Sequence, residues 1–232
     1  MYQYPFQLNS KKILIKPYTT ETEKDLLIMS SFEIYDIDEI LRVLGLEENS
    51  IKELTVNEKK VLLYKYREIS IGDEITMKFK CSHCKQPNEG IIDCKNFIEN
   101  EEINHKYKQL DEIPNDENLH LFVNVSKEEL ENLDLDEYEN LLKDVENSQI
   151  KYNFMKSCKC IKCKKDNMFD ISNIKYILES LSEDTIMSIY RTYNDMCMFG
   201  NYNKKDIDSL YPFERTILIG LINKTREDMK TK

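Results

Sequence analysis

The chain has 232 residues, and its 43 acidic side chains outnumber the 33 basic ones, so the formal charge is −10. This excess of carboxylates argues against a general affinity for nucleic-acid phosphates, which Lys and Arg bind. No apolar run approaches the ~18 residues of a membrane-spanning helix, and the first residues lack the basic start and apolar stretch of a secretory signal. Length and composition therefore predict a cytoplasmic protein of one or two domains.

The N-terminal region is predicted to contain a strand followed by helices. Apolar residues predict the strand over 12–18, which Pro17 should end or place on a sheet edge. Gly45 suits the C-terminal cap of a helix. Three residues precede a Glu at capping-box spacing and predict three helix starts: Thr20 with Glu23, Asp36 with Glu39, and Thr55 with Glu58.

Two Cys-x-x-Cys knuckles, 81–84 and 160–163, lie far apart in the sequence and read as copies of each other. Strand-like segments precede them at 75–79 and 150–154. After each knuckle come a short polar turn, two apolar residues and an Asp. Knuckles placed between strands in this way are typical of a zinc ribbon.

Paired cysteines at this spacing can bind a metal ion, because the turn between them points both sulfurs inward and supplies half of a tetrahedral site. The sequence therefore predicts a Zn2+ ion bound by Cys81, Cys84, Cys160 and Cys163. Because four protein ligands leave no open position for water, the predicted zinc is structural rather than catalytic.

Three alternatives to zinc stay open at this point. A disulfide framework is disfavoured by the odd number of cysteines and by the length of the chain. A redox Cys-x-x-Cys normally opens a helix, whereas strand-like segments follow both knuckles here. The third alternative is a pair of knuckles that binds no metal.

The other cysteines have different predicted roles. Cys94 and Cys158 align with apolar residues of the other copy, so both are predicted to be small apolar side chains of the core. Cys158 keeps an alternative as a ligand, because its spacing to the second knuckle is within reach. Cys197 lies in a helical apolar run and is predicted to be buried, whereas His83, inside the first knuckle, is predicted to face solvent.

About 75 residues separate the two knuckles, which is too long for a plain loop and predicts inserted structure at about 98–149. Strands are predicted over 105–110 and 119–125. His105 and His120 have no Cys or acidic partner at metal-ligand spacing, so they are predicted to be ordinary strand histidines.

A helix is predicted to begin inside this insertion at Ser126, which has Glu129 at capping-box spacing, and to continue through Val145 with or without a break. Carboxylates far outnumber amines over 99–146. Such a run indicates a solvated face, and the alternative is a docking surface for a basic partner.

The last helix is predicted to begin at Pro212, since proline suits the first helical position. It is apolar on more than one face, so part of its surface must be covered by other atoms. Ile217 and Leu221 are expected to pack within the chain. Leu218 and Ile222 form the adjacent strip and are expected to contact another subunit.

These patterns predict an α+β fold with a zinc-ribbon-like two-knuckle β element and flanking helical N- and C-terminal regions. The first predicted domain, 1–72, holds the N-terminal strand and helices. The second, 73–174, is zinc-ribbon-like and contains the inserted strands and helix at about 98–149. The third, 175–232, is a C-terminal helical region.

Three stretches, taken in chain order, carry a likeness to a known family. The first is the strand, proline, hydroxyl pair and capped helix of 13–27. The second is the knuckle with its strands over 77–93, and the third runs from Tyr193 through a short helix into 210–215, where a proline, an aromatic residue, Glu and Arg open the last helix. Together they resemble the baseplate hub assembly proteins of T4-like tailed phages.

The resemblance implies a viral structural or assembly protein, chaperone-like and without catalytic activity, of the central hub of a contractile tail's baseplate. The expected partners are other phage baseplate or hub proteins. Neither nucleic acid nor a membrane span is expected, and a homo-oligomer is left open. The expected locations are the host cytoplasm during assembly and the virion tail baseplate.

The alternative function is that of a zinc-ribbon transcription or nucleic-acid-binding factor. The acidic total charge and the lack of aromatic residues interleaved with basic ones argue against it. An enzyme is disfavoured because the sequence shows no nucleophile elbow, phosphate loop or His-carboxylate cluster, and has five Gly and three His to build one.

Overall fold

The computed structural model of the protein describes residues 3–8, 11–98, 107–110, 112–123 and 125–230. The fold is α+β, as predicted: helices alternate with small sheets, and each sheet formed by the described residues has two antiparallel strands. Within these ranges, no helix combines the length and the apolar character needed to cross a membrane.

The N-terminal part consists of a hairpin followed by helices. In the hairpin, Tyr4 lies opposite Ile15, and the second strand ends before Pro17, as predicted. The elements of this part are β1 (Tyr4–Leu8), β2 (Lys11–Ile15), α1 (Thr20–Ser31), α2 (Ile37–Val43), α3 (Glu48–Lys52) and α4 (Val56–Ser70).

Two hairpins carry the knuckles, and a helical segment is inserted between them. Lys80 lies opposite Pro87 in the first hairpin, and Lys159 lies opposite Asp166 in the second, so each knuckle forms the tip of its hairpin. The elements are β3 (Glu74–Lys80), β4 (Pro87–Asp93), α5 (Leu119–Val123), α6 (Lys127–Glu131), α7 (Leu135–Ser148), β5 (Met155–Lys159) and β6 (Asp166–Asp170).

The C-terminal part is helical. Asn201 has a left-handed backbone, with φ of 56°, at the end of its second helix, and Pro212 is the first residue of the last helix, as predicted. The elements are α8 (Ile174–Ser180), α9 (Ile186–Gly200), α10 (Lys204–Ser209) and α11 (Pro212–Lys230).

The main core joins the N-terminal helices to both hairpins. Leu62 and Tyr64 of α4 are fully buried, in one apolar cluster with Ile92 of the first hairpin and with Phe154, which precedes the second. The Tyr64 hydroxyl also donates to the Ile171 carbonyl at 2.7 Å. The two hairpins are therefore held on the main core, which also includes α8, whereas the insertion and the helices α9 to α11 have smaller clusters of their own.

Two of the predicted helix starts in the N-terminal part are confirmed. Thr55 Oγ1 accepts from the Glu58 N–H at 3.2 Å, and the Glu58 carboxylate accepts from the Thr55 N–H at 2.9 Å, which completes a capping box. Asp36 caps α2 through the Asp38 and Glu39 N–H groups. The Glu39 carboxylate does not close a box, and it accepts from Arg42 at 2.7 Å instead.

The capping box predicted for Thr20 with Glu23 is wrong. Thr19 is the N-cap of α1, and the Glu23 carboxylate is buried and accepts from Arg215 at 2.6 Å. The buried guanidinium of Arg215 needs a charged partner. The Glu23 carboxylate therefore pairs with Arg215 and does not cap the first backbone N–H groups of α1.

The strand predicted over 119–125 is wrong, because its first residues form α5. A short apolar run does not by itself distinguish a strand from a buried helical turn. Leu119 and Phe122, three residues apart on a helix, both pack into the apolar cluster that contains Val145 of α7. His120, predicted in a strand, lies half-buried on α5.

The other predictions for the insertion have mixed outcomes. Residues 107–110 form no strand, and the rest of the strand predicted over 105–110, with His105, lies outside the described residues. The capping box of Ser126 and Glu129 is confirmed. The helix that starts there, α6, ends at Glu131, and α7 begins with a second capping box, formed by Asp134 and Glu137.

The strand predicted over 150–154 is misplaced, because the strand before the second knuckle is β5, which begins at Met155. Tyr152 forms an isolated bridge with Ile98, and the Asn153 N–H donates to the Phe97 carbonyl at 2.8 Å. These residues pair with the chain that leaves the first hairpin, so they join the two ends of the insertion.

The prediction of which apolar strip of α11 packs within the chain is wrong. Leu218 and Ile222 pack on α9 and α10 within the chain, whereas Ile217 and Leu221 are 59% and 57% exposed. A methyl group at Gly200 would lie 2.6 Å from Ile222 Cδ1, so the lack of a side chain there lets α11 approach α9 with this face.

Candidate metal centre

The two hairpin tips bring the sulfurs of Cys81, Cys84, Cys160 and Cys163 within 4.8 Å of one another. The Cys81 and Cys163 sulfurs are 3.7 Å apart, and so are those of Cys84 and Cys160. Zn–S bonds of about 2.3 Å in a tetrahedron place sulfurs about 3.8 Å apart, whereas a disulfide bond is about 2.0 Å long. The two distances of 3.7 Å fit sulfurs that bind one tetrahedral ion and are too long for disulfide bonds.

Both knuckles have the same backbone turn. The Cys81 N–H donates to the Gln86 carbonyl, and the Lys85 N–H donates to the Cys81 carbonyl, both at 3.0 Å. The corresponding two bonds of the second knuckle are 2.9 Å long. Lys85 and Lys164 share the left-handed backbone, with φ of 58° and 60°. The repeat in the sequence is therefore a repeat in geometry.

Backbone dipoles favour thiolates in this cluster. The N–H of Cys84 lowers the pKa of Cys81 to about 6, and the N–H of Cys163 lowers the pKa of Cys160. The Lys165 N–H acts in the same direction on Cys163, but burial and the three neighbouring sulfurs outweigh it and raise that pKa to about 11. Negative charges on neighbouring sulfurs repel one another, so part of the cluster keeps its protons. A bound cation would displace these remaining protons.

Lysine side chains of both hairpins lie beside the knuckles. A site of four thiolates and Zn2+ has a formal charge of −2, which nearby cations offset. Lys85 Nζ donates to the Ser82 carbonyl at 2.6 Å, at the base of the first knuckle. Lysines of both hairpins line one groove beside the knuckles: Lys78, Lys80, Lys85 and Lys162.

The remaining cysteines and His83 lie outside the cluster of four sulfurs. Cys94 and Cys158 are buried in the main core, as predicted. His83 is exposed at the knuckle, as predicted. The burial predicted for Cys197 is wrong, because that side chain is exposed on the outer face of α9.

Two functional candidates, Asn88 and Asn167, are absent from the sequence prediction. Each is the fourth residue after the second cysteine of its knuckle, and each contacts the knuckle of the other hairpin. The signal that could have found them is the repeated pattern Cys-x-x-Cys-x-x-x-Asn.

A close approach between the hairpins depends on Gly90 in β4. A methyl group there would lie 2.0 Å from Cys158 Sγ in β5. We therefore expect Gly90→Ala to lower the free energy of unfolding by about 1–3 kcal/mol, as overpacked cores do. Urea unfolding followed by circular dichroism measures the change.

Two further variants control this experiment. Adding Cys158→Ala removes the clashing sulfur, so the double variant should regain most of the loss. Gly220→Ala on α11 has open space around the added methyl group and should stabilise the protein, since Ala favours a helix over Gly by about 1 kcal/mol. Equal stability of Gly90→Ala and the natural protein would contradict the close packing of β4 on β5.

Two family models match this chain. One, described as T4 bacteriophage base plate protein, matches residues 1–125, and the other, described as Baseplate hub assembly protein Gp51 C-terminal domain, matches residues 181–227. No curated protein and no solved structure matches the chain. The second knuckle, 160–163, lies between the matched stretches, so the argument for a metal depends on geometry rather than on the family. Since the first match covers more than half of the 232 residues, the chain belongs to the T4 bacteriophage base plate protein family.

Proposed function

We propose that this protein is a non-enzymatic assembly protein of the baseplate hub of a contractile-tailed phage, and that it acts by binding other baseplate proteins. The match of 181–227 to a hub assembly domain carries this proposal, and the family supports a role in the tail baseplate. Binding would take place in the host cytoplasm while the baseplate forms. The charge of −10 favours protein partners over nucleic acid.

The proposal includes a structural Zn2+ ion bound by Cys81, Cys84, Cys160 and Cys163. The observation that supports it is the convergence of four sulfurs within 4.8 Å of one another, with two of the sulfur pairs 3.7 Å apart. Thiolate ligands in a closed tetrahedron favour zinc over hard cations such as Mg2+ and Ca2+. When bound, the ion would lock the two hairpin tips together, and the region 73–174 would form a zinc-ribbon-like domain between 1–72 and 175–232.

An exposed apolar row on α11 is the surface that we propose for the partner. Phe213, Ile217 and Leu221 are four residues apart, so they follow one face of the helix, and each is exposed by more than two fifths. This row lies within the stretch that matches the hub assembly domain. Burying an apolar side chain of this size contributes about 1.5–3 kcal/mol, so an apolar face of another baseplate protein is the expected occupant.

The test uses a phage that lacks this gene and is supplied with the protein in trans. We expect the natural protein to restore complete baseplates, and Ile217→Asp with Leu221→Asp to reduce them at least 10-fold, counted by electron microscopy and sedimentation. The double variant should keep its metal content and its helical circular dichroism, because both side chains are exposed.

The matched control is Asn223→Asp with Thr225→Asp, which adds the same charge at exposed polar positions of the same helix. This control should assemble baseplates normally. Normal assembly with the Ile217 and Leu221 variant would show that the partner binds elsewhere. Complete baseplates without any copy of the protein would overturn the proposed function itself.

A further inference from the structure

The two knuckles are joined by a reciprocal pair of side-chain contacts. Asn167 Oδ1, on β6, accepts from the Ser82 N–H at 2.9 Å and from the Ser82 hydroxyl at 3.0 Å. Asn88 Oδ1, on β4, accepts from the Ile161 N–H at 3.3 Å. Ser82 and Ile161 hold the same place in their turns, directly after the first cysteine of each knuckle. Each hairpin therefore holds the knuckle of the other.

These contacts act next to the sulfurs. Cys81 and Cys160, which precede the two contacted residues, are fully buried. Each asparagine holds the N–H of the residue that follows the buried cysteine. This contact restricts the backbone of the turn and thereby the direction in which the cysteine sulfur points. The hydrogen bonds cross between residues 85 and 73 positions apart in sequence, so they bring the two half-sites together.

Asn88 also contacts a sulfur directly, since its Nδ2 donates to Cys160 Sγ at 2.7 Å. Because Asn88 Oδ1 accepts from the Ile161 N–H, the NH2 group of the same amide faces the sulfur. Asn167 is different, because its Nδ2 donates to the Lys165 carbonyl at 3.2 Å within its own hairpin. An N–H donor stabilises thiolate charge, so Asn88 both positions Cys160 and stabilises its negative charge.

We propose that Asn88 and Asn167 are positioning residues that assemble the four sulfurs before a metal ion binds. The inference builds on the metal site of the proposed function and adds that the site is formed by the protein without the ion. Residues that orient metal ligands change metal affinity about 10–100-fold when they are replaced. Preassembly lowers the entropy lost when the two knuckles are brought to one ion.

The first measurement is Co2+ binding, followed by the absorbance of its thiolate bonds, and Zn2+ binding in competition with a chelator. We expect Asn88→Ala and Asn167→Ala each to raise the dissociation constant about 10–100-fold. Asn88→Asp should weaken binding more than Asn88→Ala, on the order of another 10-fold, because a carboxylate beside a thiolate repels it. Asn132→Ala, which removes an exposed amide at the C-terminal cap of α6, should leave the dissociation constant unchanged.

The second measurement uses metal-free protein and a short bifunctional thiol reagent, dibromobimane, with the linked cysteines identified by peptide mapping. Preassembled knuckles should give links between 81–84 and 160–163, and the double variant Asn88→Ala with Asn167→Ala should form them at least 10-fold more slowly. Equal rates in both proteins would overturn the inference, whether or not a metal binds.

The two experiments separate the inference from the proposal beneath it. A natural protein that binds neither Co2+ nor Zn2+ would overturn the metal site, while the crosslinking still decides whether the asparagines preassemble the cluster. Metal binding that is equally tight in the natural protein and in both alanine variants would overturn the positioning role and leave the metal site in place.

Discussion

Replacing Cys81 or Cys160 with Ser should abolish metal binding and lower the free energy of unfolding by several kcal/mol. A serine hydroxyl stays protonated at neutral pH and is a poor ligand for Zn2+, so three sulfurs would remain to hold the ion. Structural zinc contributes about 10–16 kcal/mol in small finger peptides. The loss here should be smaller, because both hairpins are also held by the main core through Ile92 and Phe154.

Elemental analysis and urea unfolding of protein purified in reducing buffer measure this result. We expect about one Zn2+ per chain in the natural protein and none in either variant. Cys94→Ala is the matched control, since Cys94 is buried in the main core and lies outside the four-sulfur cluster, and it should retain the metal. Natural protein that contains no metal would contradict the zinc assignment, and metal loss in Cys94→Ala would contradict the assignment of the ligands.

Replacing Arg215 with Met should lower the free energy of unfolding by about 3–5 kcal/mol, the range for breaking one side of a buried ion pair. Arg215 Nη1 donates to Glu23 at 2.6 Å and to Thr20 at 3.1 Å, and Nη2 donates to Asp184 at 2.6 Å. The Arg215 and Glu23 side chains are 3% and 1% exposed. Without the guanidinium, the Glu23 carboxylate would be buried with the Ser182 hydroxyl as its remaining donor.

The charge state of Arg215 supports this expectation. Burial acts to lower the pKa of its guanidinium, but the Glu23 and Asp184 carboxylates outweigh that effect and raise the pKa. The residue therefore stays cationic. The ion pair joins α1, in the stretch matched by the base plate family model, to α11, in the stretch matched by the hub assembly domain.

Urea and thermal unfolding measure the effect of Arg215→Met. The control is Arg226→Met on the same helix, where the ion pair with Asp195 is 3.7 Å long and about one third exposed, so the loss should stay below about 1 kcal/mol. Adding Glu23→Leu to Arg215→Met should restore part of the stability, because it removes the unpaired charge. Equal losses in the two arginine variants would contradict a special role for the buried pair.

Features that depend on neighbours a few residues apart could be predicted from the sequence. The Cys-x-x-Cys spacing predicted the four cysteines that meet at the hairpin tips. The capping boxes of Thr55 and Ser126 and the position of Pro212 located helix starts. Each knuckle and each helix start involves residues only a few positions apart, so a short pattern is enough to identify it.

Apart from the two knuckles, whose repetition predicts that they meet, the contacts between distant parts of the chain follow from the tertiary structure. Glu23 has the spacing of a cap, yet it pairs with Arg215, 192 residues away. Asn88 and Asn167 stand at the same place after each knuckle, but their hydrogen-bond partners in the other hairpin are seen only in the folded protein. The pattern along the sequence does not record such distant contacts, because they depend on how the elements pack.

The last helix, α11, combines a feature that the sequence predicts with one that depends on packing. Its sequence predicted an apolar surface too broad for one stripe, but helical periodicity specifies the angles between side chains and not the angle at which the helix rests on its neighbours. The close approach of α11 to α9 at Gly200 turned Leu218 and Ile222 inward and left Ile217 and Leu221 exposed. The sequence thus predicts two apolar strips on α11, and packing against α9 leaves one of them exposed.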